Sequence, residues 1–310
     1  MRIKLCGLIA CAAMLAAGVV SCQQHDDIPQ GVKYPILFDS PDTRATATID
    51  SLKKGFMVYA YVDGNAGSTS FAKKVTHSVV EGRDIWALET PEYWLPDTDY
   101  YFKAFYPSEL SAGTLTVDNT DENQDFIIEG YDITEQEDIM VASATARVEA
   151  GAPAPTAGSV VDLEFKHLLA NVTINALSEL ATPVDIERVE LRTVATKADY
   201  SGAWSTGNYG SGNFGYDSDL TLNKAESETD YTDITNGGIL VIPEQINGTQ
   251  KIYVKTSFKE YDVAFPTTYS WNAGQKYTYT LIIKQENIEF NEPKVEIWDE
   301  ENATGSVVIK

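Results

Sequence analysis

Only 3 histidines are present in this 310-residue chain to offer acid–base or metal chemistry. His25 lies near the start, His77 in an alternating run, and His167 within Phe165-Lys166-His167-Leu168-Leu169. No two are spaced as metal ligands. A histidine at a strand end reads first as a structural group. No Gly-x-Ser-x-Gly elbow presents a nucleophile. Gly210-Ser211-Gly212-Asn213-Phe214-Gly215 matches a dinucleotide-binding string. That fingerprint needs a buried strand before it and a helix after it; here the flanks are polar and glycine-rich, so a sandwich loop is expected instead. Asp121-Glu122-Asn123-Gln124-Asp125 lacks the central glycine and closing glutamate of a calcium loop and reads as a solvated turn. The expectation is therefore no catalytic residue, no metal and no cofactor.

The N-terminus carries chemistry of another kind. Arg2 and Lys4 precede an apolar run from Leu5 to Val20, the pattern of an export signal over residues 1–21. It closes on Val19-Val20-Ser21-Cys22, which resembles the lipobox read by lipoprotein signal peptidase; Ala16-Ala17-Gly18 would be the site for ordinary secretory cleavage. Of the 3 cysteines, Cys6 and Cys11 lie inside the signal. Cys22 then stands alone at the mature terminus, so it is expected to carry lipid and no internal disulfide can form. Gln23-Gln24-His25-Asp26-Asp27 resembles an acidic surface-export tag of a Gram-negative phylum of gut and oral anaerobes, and reads equally as a solvated tether.

Acidic residues number 46 against 23 basic ones, for a formal net charge of −23. Nucleic acid needs a basic footprint and is excluded as a partner. Electrostatic binding to an anionic bilayer is excluded for the same reason. Membrane attachment would come from acyl chains on Cys22, each buried methylene contributing about 0.8 kcal/mol.

The elements that must hold any site are strands. The 17 tyrosines recur with Thr, Val and Ile in short alternating runs broken by Gly, Asn, Asp and Pro. Period-2 alternation wets one face and buries the other, as in antiparallel sandwiches. A short helix near residues 175–180 is the weak exception. Residues 151–158, with Pro153 and Pro155 among small residues, read as a linker. The division is a tether or propeptide at 22–44, a sandwich at 45–150, the linker, and a second sandwich at 159–310. The 5 tryptophans, Trp86, Trp94, Trp204, Trp271 and Trp298, read mainly as core. Trp204, paired with Tyr209 or Tyr216, is the candidate sugar platform.

Two segments stand outside the regular series. In Tyr34-Pro35-Ile36-Leu37-Phe38, residues Tyr34, Ile36 and Phe38 point to one face, and Pro35 marks an edge strand. At the other end, Val295, Ile297, Val307 and Ile309 sit in short apolar pieces.

Several pieces together resemble the fimbrillin (Mfa-like) family, subunits of type V pili in Bacteroidales-type bacteria. They are Thr43-Arg44-Ala45-Thr46, Tyr101-Phe102-Lys103-Ala104-Phe105-Tyr106-Pro107 and Asp138-Ile139-Met140-Val141-Ala142. After the linker come Leu163 through Ile174, Leu240-Val241-Ile242-Pro243 and Trp271 through Tyr279. The resemblance implies an all-β fold of two tandem transthyretin-like antiparallel β-sandwich domains. It implies export as a lipoprotein to the outer membrane and cell surface, then cleavage between Arg44 and Ala45 by an arginine-specific protease. Tyr34, Ile36 and Phe38 would plug a groove before that cut. Val295, Ile297, Val307 and Ile309 are the donor-strand candidates for a neighbouring fimbrial subunit, by β-strand addition. The competing reading is a surface glycan-binding lipoprotein of a nutrient-uptake system.

Overall fold

Alternation governs the strands that form. In Phe56–Gly64, Phe56, Val58, Ala60 and Val62 are buried while their neighbours are wetter. A computed structural model describes residues 33–39, 50–64, 67–81, 83–123, 125–149, 160–265 and 269–298. The first strands in chain order are β1 (Leu37–Asp39), β2 (Phe56–Gly64), β3 (Thr69–Val80), β4 (Arg83–Leu88), β5 (Thr98–Tyr106), β6 (Thr114–Val117), β7 (Phe126–Asp132), β8 (Met140–Val148), β9 (Val160–Asp162) and β10 (Lys166–His167). Then follow β11 (Ala170–Ser178), β12 (Val184–Ala195), β13 (Lys197–Ser201), β14 (Trp204–Ser205), β15 (Ser211–Leu222), β16 (Thr232–Asp233), β17 (Ile239–Val241), β18 (Lys251–Thr256), β19 (Glu260–Ala264), β20 (Gln275–Ile283), β21 (Ile288–Phe290) and β22 (Lys294–Ile297). Among the described residues, helical geometry is confined to a turn near Ser51 and the 3-10 turn Ile133–Glu135.

The first sheet runs β10-β8-β5-β2-β3-β4-β1-β9. It folds over on itself. Phe38 of β1 touches Phe102 of β5, and Phe56 of β2 touches Phe165, although none of these strands are neighbours in that order. The end strands β9 and β10 are joined by three residues, of which Leu163 and Phe165 are buried in the same core. The result is a sandwich whose two layers are almost one continuous sheet.

A second core lies between two further sheets. One has the order β16-β11-β20-β21, with β17 added to β11 and β22 added to β20; the other has the order β15-β12-β18-β19. Strand β11 is buried on both faces and pairs in parallel with β20, so it reads as a nearly unbroken apolar run. The expected helix near 175–180 is absent for this reason: residues up to Ser178 belong to β11, held by a ladder reaching Ser178↔Ile283. Tertiary pairing overrides a weak local signal.

A fourth sheet, β14-β13-β7-β6, joins residues from both halves of the chain. Its Phe126, Ile128 and Tyr131 belong to the second core, with Phe105 from the outer face of the first sheet. Val161, Leu163 and Phe165 join the first core from beyond the proline-containing segment. The linker expected at 151–158 lies outside the described residues.

Candidate functional site

The site is built around the segment ahead of β2. Lys33 and Pro35 are exposed, Tyr34 and Leu37 are half-buried, and Ile36 and Phe38 are 1% and 2% exposed. That alternation seats Tyr34, Ile36 and Phe38 toward the first core, where they pack with its buried cluster. The backbone is gripped on both sides. Trp94 N–H donates to the Tyr34 carbonyl at 3.0 Å, and Ile36 N–H donates to the Glu92 carbonyl at 2.8 Å. Further along, Leu37 and Phe38 pair antiparallel with Ala87 and Trp86 of β4. On the opposite side, Leu37, Phe38 and Asp39 pair in parallel with Val160, Val161 and Asp162 of β9.

The edge position expected from Pro35 is therefore corrected. Pro35 makes an isolated bridge to Tyr93, where its missing N–H is tolerated. Two residues on, the strand has partners on both sides, because Leu37 and Phe38 have free N–H groups to spend.

The wall of this slot is aromatic. Phe102 meets Phe38 edge-on, Trp94 meets Tyr100 at 4.8 Å, and Tyr100 stacks over Phe102 at 5.8 Å. Leu95 N–H donates to the Tyr100 hydroxyl at 2.6 Å. Burial pushes the Tyr100 phenol above its ordinary value, opposed by that N–H, so it stays neutral. The indole N–H groups of Trp86 and Trp94 are buried with no hydrogen-bond partner among the described residues. Such orphaned donors each cost about 1–3 kcal/mol. The slot thus carries both a large apolar payload and local frustration. Alternation in the sequence marks the inward face of Tyr34, Ile36 and Phe38 but not these walls; Val160-Val161, immediately after the proline-rich stretch, is the available signal for β9.

The C-terminal candidates divide. Val295 is buried, and β22 pairs antiparallel with β20 through Tyr277↔Val295. Ile297 is 51% exposed. Trp298 stacks on His167 with centroids 3.7 Å apart, and its backbone N–H donates to the Gly274 carbonyl. Val307 and Ile309 lie outside the described residues, as do Cys22, Arg44 and Ala45.

The remaining chemical candidates are structural. His77 pairs with Asp84 at 2.6 Å and packs on Trp86. His167 pairs with Asp138 at 2.8 Å. Residues 211–215 of the dinucleotide-like string form the start of β15, with Gly215 opposite Glu190, so the expected loop is a strand there. A Cβ on Gly215 would lie 2.1 Å from the Val189 carbonyl oxygen, which is why glycine occurs at that position. Trp204 donates its indole N–H to the Leu168 carbonyl at 2.7 Å and packs against Tyr131 and Tyr200. Tyr209 bonds Asp199 and Tyr216 bonds the Ile234 carbonyl. Neither forms a ring pair with Trp204, so the sugar platform expected there is not assembled. Among the described residues no three His, Cys, Asp or Glu side chains converge as metal ligands, and no helix is long and apolar enough to cross a membrane.

Comparison with known families matches residues 43–298 to a family described as fimbrillin-like. The match begins just before Arg44 and leaves Tyr34 through Asp39 outside it. Two solved structures share the fold. One is a candidate cell adhesion protein from Bacteroides uniformis, at 16% identity, covering 87% of this chain and 100% of that one, with a TM-score of 0.56. The other is a candidate cell adhesion protein from Bacteroides ovatus, at 13% identity, with the same coverage and a TM-score of 0.57. Comparison with curated proteins gives no match.

Proposed function

We propose a role for this chain on the premise that it belongs to the fimbrillin-like family: it is a fimbrial, cell-adhesion subunit held closed by its own leading strand until it is processed. In this reading the signal is removed, Cys22 is acylated, and the subunit reaches the outer membrane tethered through residues 22–44. An arginine-specific protease cuts between Arg44 and Ala45, which stand in sequence between β1 and β2. The tether leaves with β1.

The observation that carries this reading is the burial of Ile36 and Phe38 in a core they do not share covalently once Arg44 is cut. Losing them uncovers about 3–6 kcal/mol of apolar burial and the facing backbone edges of β4 and β9. Two facing edges flanking an apolar trough are a template for strand addition. The slot asks for two apolar side chains two residues apart. Val307 and Ile309 have that spacing, and Val295 is already spent against β20 in its own chain. The tail beyond Trp298 is therefore the favoured donor. Copies joined head to tail through such a contact do not close, and an open filament follows.

The test is to treat the purified chain with arginine-specific protease, map the new N-terminus, and run unboiled gels. The reading expects Ala45 as the new first residue together with ladders. A cleaved chain that remains monomeric contradicts it.

A further inference from the structure

Where the outer face of the first sheet runs out from under the sheet β14-β13-β7-β6, it opens into a cleft of 450 Å³. This is within the usual size of a small-ligand site. The two strands β5 and β8 change character along it. Phe105 is fully buried beneath the covering sheet and Val141 half-buried, while Lys103 and its cross-strand partner Ser143 reach the cleft. Leu163 and Phe165 turn inward, so Glu164 and Lys166 turn outward into the same space. Asp125 and Ser201 face them from the covering sheet.

The cleft carries charges of both signs. Elsewhere its strands are laced with ion pairs, such as Arg188 with Glu190 and Asp217, or Lys251 with Asp262. Two lysines and two carboxylates line the cleft, and none of the four side chains forms an ion pair or a hydrogen bond with a described residue. Lys103 lies only over the Phe126 ring, at 5.6 Å. Tyr200 also lines the cleft; its hydroxyl has no hydrogen-bond partner among the described residues, and its ring packs on Trp204.

We infer that this cleft binds a neutral pyranose unit of a glycan. The convergent groups are both donors and acceptors, and sugar hydroxyls satisfy both at once. Tyr200 and Val141 supply the apolar wall that the C–H face of a sugar needs. An acidic sugar would meet two carboxylates in the cleft and the field of a chain with net charge −23. The inference does not depend on processing or assembly, since every residue it uses lies in the uncleaved chain.

The test uses that intact, uncleaved chain. Neutral oligosaccharides of glucose, galactose and mannose, and matching glucuronates, are screened by saturation-transfer NMR, with calorimetry on the best neutral probe. Neutral sugars are expected to bind and glucuronates not. The double variant Glu164→Gln/Lys166→Met, and separately Ser201→Tyr, which fills the cleft, should each weaken binding about tenfold or more with an unchanged melting temperature. All three positions are exposed. No binding by any neutral sugar, preference for the uronates, or an affinity in both variants equal to that of the parent chain overturns the inference.

Discussion

Phe38 meets Phe102 edge to face, with ring centroids 5.7 Å apart and planes at 90°. One ring belongs to the segment ahead of Arg44 and the other to the middle of the first sheet. The aromatic cluster of Trp94, Tyr100 and Phe102 is thus completed by a residue that the proposed cleavage at Arg44 would remove.

The first prediction follows from that contact. Phe38→Ala should destabilise the uncleaved chain by about 3–5 kcal/mol, through lost burial and the cavity left behind. Urea unfolding measures it. After cleavage at Arg44 the variant and the parent should unfold alike, because Phe38 has gone from both.

Cleavage should also be single. Arg83 opens β4 and is paired with Val80 of β3; Arg147 lies in β8 and pairs with Asp97 and Asp99; Arg188 and Arg192 lie in β12 and grip Glu190. Backbone held in a ladder does not enter a protease cleft readily. Arginine-specific protease should therefore give one product, beginning at Ala45. Arg44→Ala should give none, with no ladders on an unboiled gel and the protein left cell-bound as monomer.

Two truncations separate the roles of the C-terminal pieces. A chain ending at Trp298 keeps Val295 in its core and should unfold like the parent, yet form no ladders after cleavage. A chain ending before Lys294 loses Val295 and the Trp298–His167 stack. It should be less stable by at least about 1.5–3 kcal/mol from the valine alone, read by thermal or urea unfolding.

A pH dependence follows from the contact between β7 and β13. The Asp199 carboxylate accepts from the Gly130 N–H and the Tyr209 hydroxyl, each at 2.8 Å, and Gly130 first, then Tyr209, holds it below its ordinary value of 3.8. A lowered folded value means that Asp199 stabilises the fold above its ordinary value, and that this is lost as pH falls through the folded one. Asp199→Ala should be less stable than the parent near neutrality, and the gap should narrow in acid. Unfolding curves at stepped pH check the sign.

Much of this architecture was readable from the residues. Phe56 through Val62 alternates cleanly and is β2; Tyr277 through Ile283 does the same and is β20. Tyr34, Ile36 and Phe38 announced an inward face without any structure. What the chain could not announce was who stands beside whom. Pro35 argued for an edge, yet β9 arrives from more than a hundred residues away to flank Leu37. Asn175 looked able to turn into helix, yet a parallel ladder with β20 claims it. Gly212 and Gly215 read as loop, yet they sit in β15, where Gly215 permits close approach to Val189. In each case a non-local partner decides the outcome, and local composition carries no record of it. The cleft at Lys103 and Lys166 was invisible for the same reason, since its walls come from separated stretches.

The central claim is that β1 must leave its slot before another copy can enter. Leu37 and Ala87 are half-buried register partners across β1 and β4, a spacing within reach of a disulfide after small adjustment. In a chain that starts at Gln23, and so lacks all three native cysteines, Leu37→Cys/Ala87→Cys can be locked by oxidation and released by reductant. After cleavage at Arg44, the oxidised chain should stay monomeric on an unboiled gel, and adding reductant should start ladders. Ladders that grow equally well with the disulfide intact would contradict the account.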